Sequence, residues 1–365
     1  MSDRTARRRE LLWDSCRADG VDAVLVASVT NVGYLTGFSG DDSTVLLMKG
    51  RAIVISDGRY ETQLKAECPD VQVHIRPVGQ LMGPGVAEVA GKLGVRKLGF
   101  EAAVLTVDDH LKLRELMKAT DLVPMTDKVE ALRVVKDDLE VAAIREAIAY
   151  AEQAFAAVTA GLRPEQTEKD VADAIEFAVR RAGASATSFP PIVGVGRNAA
   201  LPHYRPSADV RIGADDFVLI DWGAAGRPYK SDLTRVVVTG KVTPKFAEVY
   251  RAVLAAQERG IAAIRPGVAG RDVDAQARAV IHEAGFGEFF NHGLGHGLGM
   301  DIHEAPRLRK EADTPLRPGM VVTVEPGIYL PDWGGVRIED DVLVTPEGCE
   351  VLTHVPKALD ALRAG

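Results

Sequence analysis

The feature that most constrains this chain lies in its second half, where four carboxylates sit against short apolar runs that read as buried strands. Asp221 follows Phe217-Val218-Leu219-Ile220, Asp232 precedes Leu233, Glu325 ends Val321-Val322-Thr323-Val324, and Glu339 follows Val336-Arg337-Ile338. A strand that buries its apolar side chains takes a terminal acid into low dielectric with it, where a carboxylate needs a partner. With Gly226 and Arg227 at the centre of a hairpin, position 221 pairs with 232, and directly opposed Cβ atoms stand roughly 4.5–5.5 Å apart. Glu325 and Glu339 flank residue 332 symmetrically, so a second hairpin through Pro331-Asp332-Trp333-Gly334-Gly335 juxtaposes them as well. Like charges so placed destabilise a sheet unless something positive stands between them, and a metal ion, or better a pair, is the natural solution. Taken alone, Asp221 also reads as a surface carboxylate near a turn, and Asp232 as a cap on the following strand. The apolar run before Asp221 argues against that reading for it. Arg337 is two residues before Glu339 and on its side of the strand, where it either orients a site carboxylate or makes an ordinary surface ion pair.

Between these runs lies Asn291-His292-Gly293-Leu294-Gly295-His296-Gly297-Leu298-Gly299-Met300-Asp301-Ile302-His303-Glu304, which holds three of the eight histidines. Its glycines let the backbone approach another group closely and argue against one clean helical turn. One imidazole completes a site of four carboxylates, and the other two remain for protons or a substrate oxygen. A phosphate-cradling loop is the competing reading, but no Gly-Lys-Ser/Thr follows. His203, beside Pro202, carries little signal by itself. Two divalent ions balance four carboxylates and leave a shared hydroxide as nucleophile; such pairs activate water in hydrolytic enzymes. Oxygen-rich ligation with one nitrogen suits manganese, cobalt or zinc better than a thiolate metal.

Around this centre the 365 residues read as two domains, being long for a single core. The first third alternates short strands and helices: a charged helix over 7–19, a strand over 21–27, and a hairpin through Lys49-Gly50. That pattern predicts a layered α/β unit, and it contains neither GxGxxG nor GxxxxGK[ST]. Asp137 with Glu140, and Thr167 with Asp170, form capping-box signatures that open two helices. Thr243-Pro244 opens a third, and a fourth spans about 272–284; with the strands they predict an α+β domain around an antiparallel sheet. The boundary falls near 125–135, giving domains 1–130 and 131–365. Lys plus Arg number 44 against 52 for Asp plus Glu, a net charge of −8 that argues against nucleic acid and anionic membranes as partners. No CxxC pair, signal-like start or run of roughly 18 apolar residues is present, so a cytoplasmic protein is expected.

Taken in order, these motifs resemble the pita-bread metallopeptidases, specifically proline dipeptidases (prolidases) and aminopeptidases P. Asn31-Val32-Gly33-Tyr34-Leu35-Thr36-Gly37-Phe38 resembles the signature loop of that family's creatinase-like amino-terminal domain. Asp221-Trp222-Gly223, Ser231-Asp232-Leu233-Thr234-Arg235, His292 to Gly297, Val324-Glu325-Pro326-Gly327 and Arg337-Ile338-Glu339-Asp340 match the catalytic blocks, so the likeness covers nearly the whole chain. The resemblance implies an α/β amino-terminal creatinase-like domain followed by an α+β pita-bread catalytic domain. It implies two divalent metal ions, manganese first with cobalt or zinc as alternatives, held by Asp221, Asp232, His296, Glu325 and Glu339. Asp232 and Glu339 would bridge the ions, with His296 and Glu325 terminal on one and Asp221 on the other.

The block from Phe189-Pro190-Pro191 to Pro202-His203-Tyr204 supplies a substrate-side histidine in the family, here His203. His203, His292 and His303 would line the substrate cleft, with His203, His303 and Glu325 catalytic. Arg307 falls near a substrate carboxylate, although Arg307-Leu308-Arg309-Lys310 reads equally as a solvated loop. The implied reaction is attack of the shared hydroxide on the bond preceding proline in short proline-containing peptides. A homodimer is expected, with the first domain narrowing a cleft. Dipeptidase is the expected activity and aminopeptidase P the alternative. Creatinase lacks this ligand set, methionine aminopeptidase lacks the first domain, and non-catalytic interaction proteins on the fold typically have eroded ligands.

Overall fold

In the computed structural model, which describes residues 2–361 and 363, the chain divides into two compact units, Met1–Arg133 and Val134–Gly365. The first unit is an α/β layer built on a six-stranded mixed sheet. Its strands are β1 (Ala23–Val26), β2 (Thr44–Met48), β3 (Arg51–Asp57), β4 (Gln72–Arg76), β5 (Lys97–Glu101) and β6 (Asp121–Met125), in the order β4-β3-β2-β1-β5-β6. The hairpin through Lys49-Gly50 pairs Met48 with Arg51, and Gly50 takes φ 66°, a left-handed conformation that glycine adopts freely. Val86, Val89, Ala90 and Leu113 from the flanking helices pack against Leu25, Leu46, Ile53 and Leu98 of the sheet.

The stretch expected to be a signature loop is instead a helix, Val29–Thr36. Ser28 caps it by accepting the Asn31 N–H, and Gly37 closes it with φ 82°. Of the residues that read as a loop, Gly37 supplies the helix end while Gly33 lies within the helix. Asn31 is buried within this unit, donating to Glu101 Oε1 at 2.5 Å and Glu130 Oε1 at 2.6 Å and accepting from Arg133 at 2.8 Å.

The second unit contains strands β7 (Ala186–Thr187), β8 (Ile192–Val195), β9 (Phe217–Trp222), β10 (Ala224–Ala225), β11 (Leu233–Val238) and β12 (Gly295–Gly297). They are followed by β13 (Glu304–Leu308), β14 (Val321–Val324), β15 (Gly327–Leu330), β16 (Gly334–Arg337), β17 (Asp340–Val344) and β18 (Cys349–Val351). The sheets β11-β9-β8 and β13-β12-β14-β17-β18 are antiparallel, and an isolated bridge between Thr234 and Glu339 joins them.

Two helix pairs cover these sheets. Asp138–Thr159 opens with a complete capping box, in which Asp137 accepts from Leu139 and Glu140 and Glu140 returns the bond. Glu168–Ala182 opens with another on Thr167 and Asp170. Each such cap contributes about 1 kcal/mol. Trp222 stacks on Phe155 at 4.2 Å and donates to Ala151 O, pinning the first pair to β9. Helices Pro244–Ala263 and Gly270–Glu283 bury Val249, Val253, Val273 and Ile281 against the second sheet. Among the described residues no helix is long and apolar enough to cross a membrane.

Candidate active site

The two hairpins expected from the sequence are both present, but one has a different register. Leu233 pairs with Trp222 and Thr234 with Asp221, so Thr234, not Asp232, stands opposite Asp221. Gly226 donates to Tyr229 O at 2.7 Å and Ala225 bridges Lys230, which puts Arg227 and Pro228 at the centre of the turn. Proline has no N–H for a ladder and suits a corner, so the turn moves one residue and the pairing moves by two. Because strand side chains alternate with period two, Asp232 keeps the face of Thr234 and Asp221, only displaced along it. The other hairpin keeps the expected symmetry. Gly327 pairs with Arg337 and Val324 with Asp340, so Glu325 and Glu339 face one another at the interruption between two short ladders.

His296 reaches the same point from β12. Flanking glycines make this possible: a Cβ at Gly295 would meet Thr323 O at 2.0 Å, and one at Gly297 would meet Ala305 O at 2.2 Å. The backbone is therefore pressed between β13 and β14 with His296 as the side chain it presents. Its Nε2 lies 3.4 Å from Glu325 Oε1 and 3.6 Å from Asp232 Oδ2. Ligand atoms of Asp232, His296 and Glu339 all lie within 4.8 Å of one another.

The electrostatics of this floor are unbalanced. Burial, then neighbouring carboxylates, raises Asp232 and Glu339 well above the usual carboxylate range. Burial also pushes Glu325 up to about 8 and raises Asp221, in each case against the pull of Arg337. Arg337 is 4% exposed and gives Nη2 to Asp221 Oδ2 at 2.6 Å, Nε to Thr234 Oγ1 at 3.0 Å and Nη1 to Tyr329 Oη at 2.9 Å. It is thus the orienting guanidinium of the two readings, not a surface ion pair. Asp221 Oδ1 remains buried with no hydrogen-bond partner among the described residues. His296 Nδ1 lies 3.0 Å from Gly297 O, a group that only accepts, so the proton sits on Nδ1 and Nε2 faces the acids unprotonated. Burial holds this imidazole neutral, at about 3. An orphaned carboxylate oxygen, under-compensated acids and a deprotonated nitrogen aimed among them fit a divalent cation.

A cleft of about 800 Å³ opens over this floor. His203, His292, His303 and Arg307 all line it, so the structure brings every sequence-predicted site residue to one place. They differ in how they are held. His292 has both nitrogens on protein groups, Nδ1 on Gly293 O at 2.8 Å and Nε2 on Tyr329 Oη at 3.0 Å, and burial draws it down to about 4. His303 packs edge-on against His296 at 4.4 Å. Arg307 lies on β13 directly opposite His296 and exposed, in a strand rather than a loop.

The residues missed in the sequence are Thr234, Thr323, Tyr329 and Asp341. Thr234 donates to Glu339 Oε2 at 2.6 Å, Thr323 accepts the His296 N–H at 3.1 Å, and Asp341 Oδ2 accepts the Asp232 N–H at 3.1 Å. Thr234 and Thr323 each sit two residues from an acid of the site. The same period-two rule that singled out Arg337 beside Glu339 would have found them.

Residues 142–346 match the family model for metallopeptidase family M24, and residues 8–135 match that for the creatinase/prolidase N-terminal domain. Among solved structures the chain is similar to an Xaa-Pro dipeptidase from Bacillus anthracis, with 40% identity and a TM-score of 0.93 over 97% of this chain and 99% of that one. It is also similar to an X-Pro aminopeptidase from Thermotoga maritima, with 34% identity and a TM-score of 0.88 over 94% and 99% of the two chains. An Xaa-Pro dipeptidase of Pyrococcus furiosus is 33% identical over 352 residues, 96% of this chain and 99% of the relative. With both domains matched along nearly their full length, the chain belongs to metallopeptidase family M24.

Proposed function

We propose that this metallopeptidase hydrolyses the imide bond preceding proline in short peptides, as an Xaa-Pro dipeptidase working with two divalent cations. The observation that carries the reading is the set of four carboxylates, three buried and Glu325 half-buried, around one neutral imidazole, with Arg337 as the buried cation among them. Asp221, Asp232, His296, Glu325 and Glu339 would hold the ions, Asp232 and Glu339 being shared between them. The mainly oxygen donor set favours manganese, with cobalt or zinc as alternatives. Bound there, such ions supply an activated water and a Lewis acid for the scissile carbonyl.

The chain's own groups do the rest. Glu325 Oε1 accepts from the Thr323 hydroxyl, and Oε2 is the oxygen assigned to hold a proton and pass it to the departing proline nitrogen. His203 and His303 line the cleft and would serve as the donors that stabilise the oxyanion. Arg307, on the cleft wall beside His296, pairs with the carboxylate of the proline itself in a dipeptide. In a longer peptide an amide replaces that carboxylate and the arginine loses a charged partner.

The likeness to named Xaa-Pro dipeptidases supports this reading. The Thermotoga relative and the roomy cleft favour aminopeptidase P as the second. The test is kcat/KM for Ala-Pro and Ala-Pro-Ala with the manganese-loaded enzyme, in wild type and Arg307→Ala. We expect a dipeptide preference that Arg307→Ala reduces about ten- to hundredfold, the worth of a charge-assisted hydrogen bond. A tripeptide preference moves the assignment to aminopeptidase P, and no turnover of either sinks both readings.

A further inference from the structure

Both ends of the segment that carries His203 into the cleft are tied to one buried carboxylate. Glu168, the first residue of the helix Glu168–Ala182, is 0% exposed. Its Oε1 accepts the Val195 N–H at 2.8 Å and Asn198 Nδ2 at 2.9 Å, and its Oε2 accepts the Ser207 N–H at 3.0 Å. Asn198 Nδ2 also donates to Tyr204 Oη at 2.9 Å, and the Lys169 N–H donates to Ser207 O at 3.0 Å. Residues 196–206 thus leave and return to the body of the domain across a single side chain. Along the outer part of this segment exposure alternates: Leu201, His203 and Arg205 are exposed, while Pro202 and Tyr204 are half-buried. Tyr204 is the inward anchor directly beside His203. Burial and a hydrogen bond to Glu168 push its hydroxyl up to about 12, so it stays a donor throughout the working range.

All of Glu168's partners in this arrangement are donors. A carboxylate can satisfy them and sits favourably at a helix N-terminus. A glutamine of the same shape cannot, because its amide nitrogen would face an N–H.

We propose that Glu168 is a positioning residue for His203, a charged clasp that closes the 196–206 loop and fixes where the imidazole stands over the cleft. The proposal rests on the reading of His203 as a substrate-side group. The experiment is a double-mutant cycle of Glu168→Gln and His203→Ala on the manganese-loaded full chain with Ala-Pro, together with hydrogen exchange of residues 195–207. Glu168→Gln should lower kcat about ten- to hundredfold, the range for losing a hydrogen bond to a charged group, with metal content unchanged. In the His203→Ala background it should cost nothing further. Exchange should quicken at 195–207 and stay unchanged at 292–304. Asn198→Ala, which removes one donor and keeps the charge, should show the same non-additivity with a smaller loss. Equal factors in both backgrounds would mean general damage and overturn the proposal, as would unaltered exchange at 195–207. A His203→Ala enzyme with wild-type kcat overturns the role of His203 instead, and that single variant distinguishes it from a failure of the clasp.

Discussion

Glu339 and Asp340 are neighbours in sequence and almost equally buried, at 2% and 1% exposure, yet they face opposite electrostatic worlds. Strand alternation sends their side chains to opposite sides. Behind the sheet, Asp340 accepts from Arg235 at 2.6 Å, Lys357 at 2.6 Å, Gln257 at 2.7 Å and Thr353 at 2.7 Å. Burial alone would raise it, but Arg235 and Lys357 hold it down at about 2. In front, Glu339 receives the Thr234 hydroxyl, and burial, then the carboxylates of Glu325 and Asp221, raise it well above its ordinary range against the pull of Arg337. Burial is the same on both sides. The difference is how much positive charge the chain itself supplies: on the cleft side Arg337 is the buried cation among the described residues that contacts these acids. One cluster is complete as folded; the other lacks counter-charge of the kind a divalent cation would supply.

The largest effect should come from breaking the front. Asp232→Asn should lower kcat/KM by more than about 10³, beyond the roughly 10–100-fold lost with an outer-sphere partner, and elemental analysis should show metal loss. Metal-free, the same variant should unfold in denaturant no more easily than wild type, since it removes one of several mutually repelling acids. Asp340→Asn reverses the pattern. It leaves Arg235 buried without its full counter-charge and should cost about 3–5 kcal/mol in unfolding measured with chelator present. If Asp232→Asn destabilises the metal-free chain as much as Asp340→Asn, the contrast between the two clusters does not hold.

The smallest effect is a pH dependence, and it sharpens the same contrast. Glu325, raised from an ordinary 4.5 to about 8, contributes stability that is present below 4.5 and is lost as pH rises toward 8. His292 and His296 are lowered, so their contributions are present above the ordinary 6.5 and constant from there upward. Asp340, held near 2, is fully ionised throughout. Between pH 6.5 and 8 the metal-free chain should therefore lose stability, and the rise in Tm on adding manganese should grow. Thermal melts with chelator and with manganese across that range test it; a metal-free Tm that climbs with pH overturns it.

Much of this was legible in the sequence, for reasons that can be named. The capping boxes at Asp137 and Thr167 are local, so the helices they open appear where expected. The apolar run before Asp221 favours burial of that acid, and the symmetry of Glu325 and Glu339 about residue 332 survives because their hairpin is regular on both sides. The Asp221 hairpin was misregistered because turn centre is a one-residue question with a two-residue consequence, and Gly226 was a plausible centre beside Pro228. The helix Val29–Thr36 was missed because its cap and its closing glycine look like loop chemistry when the intervening turns are few.

The sequence by itself determined which groups would meet and what charge they would lack, because residue type and strand period are local properties. Only the tertiary structure decided which acids were already paid for. Asp340 and Glu339 are indistinguishable as buried acids in the chain, and their fates separate because Arg235, Lys357 and Gln257 arrive from distant elements on one side, while carboxylates arrive on the other. Glu168 makes the same point: 35 residues before His203, it reads as an ordinary helix-start acid, and only the fold brings the two ends of a loop onto it.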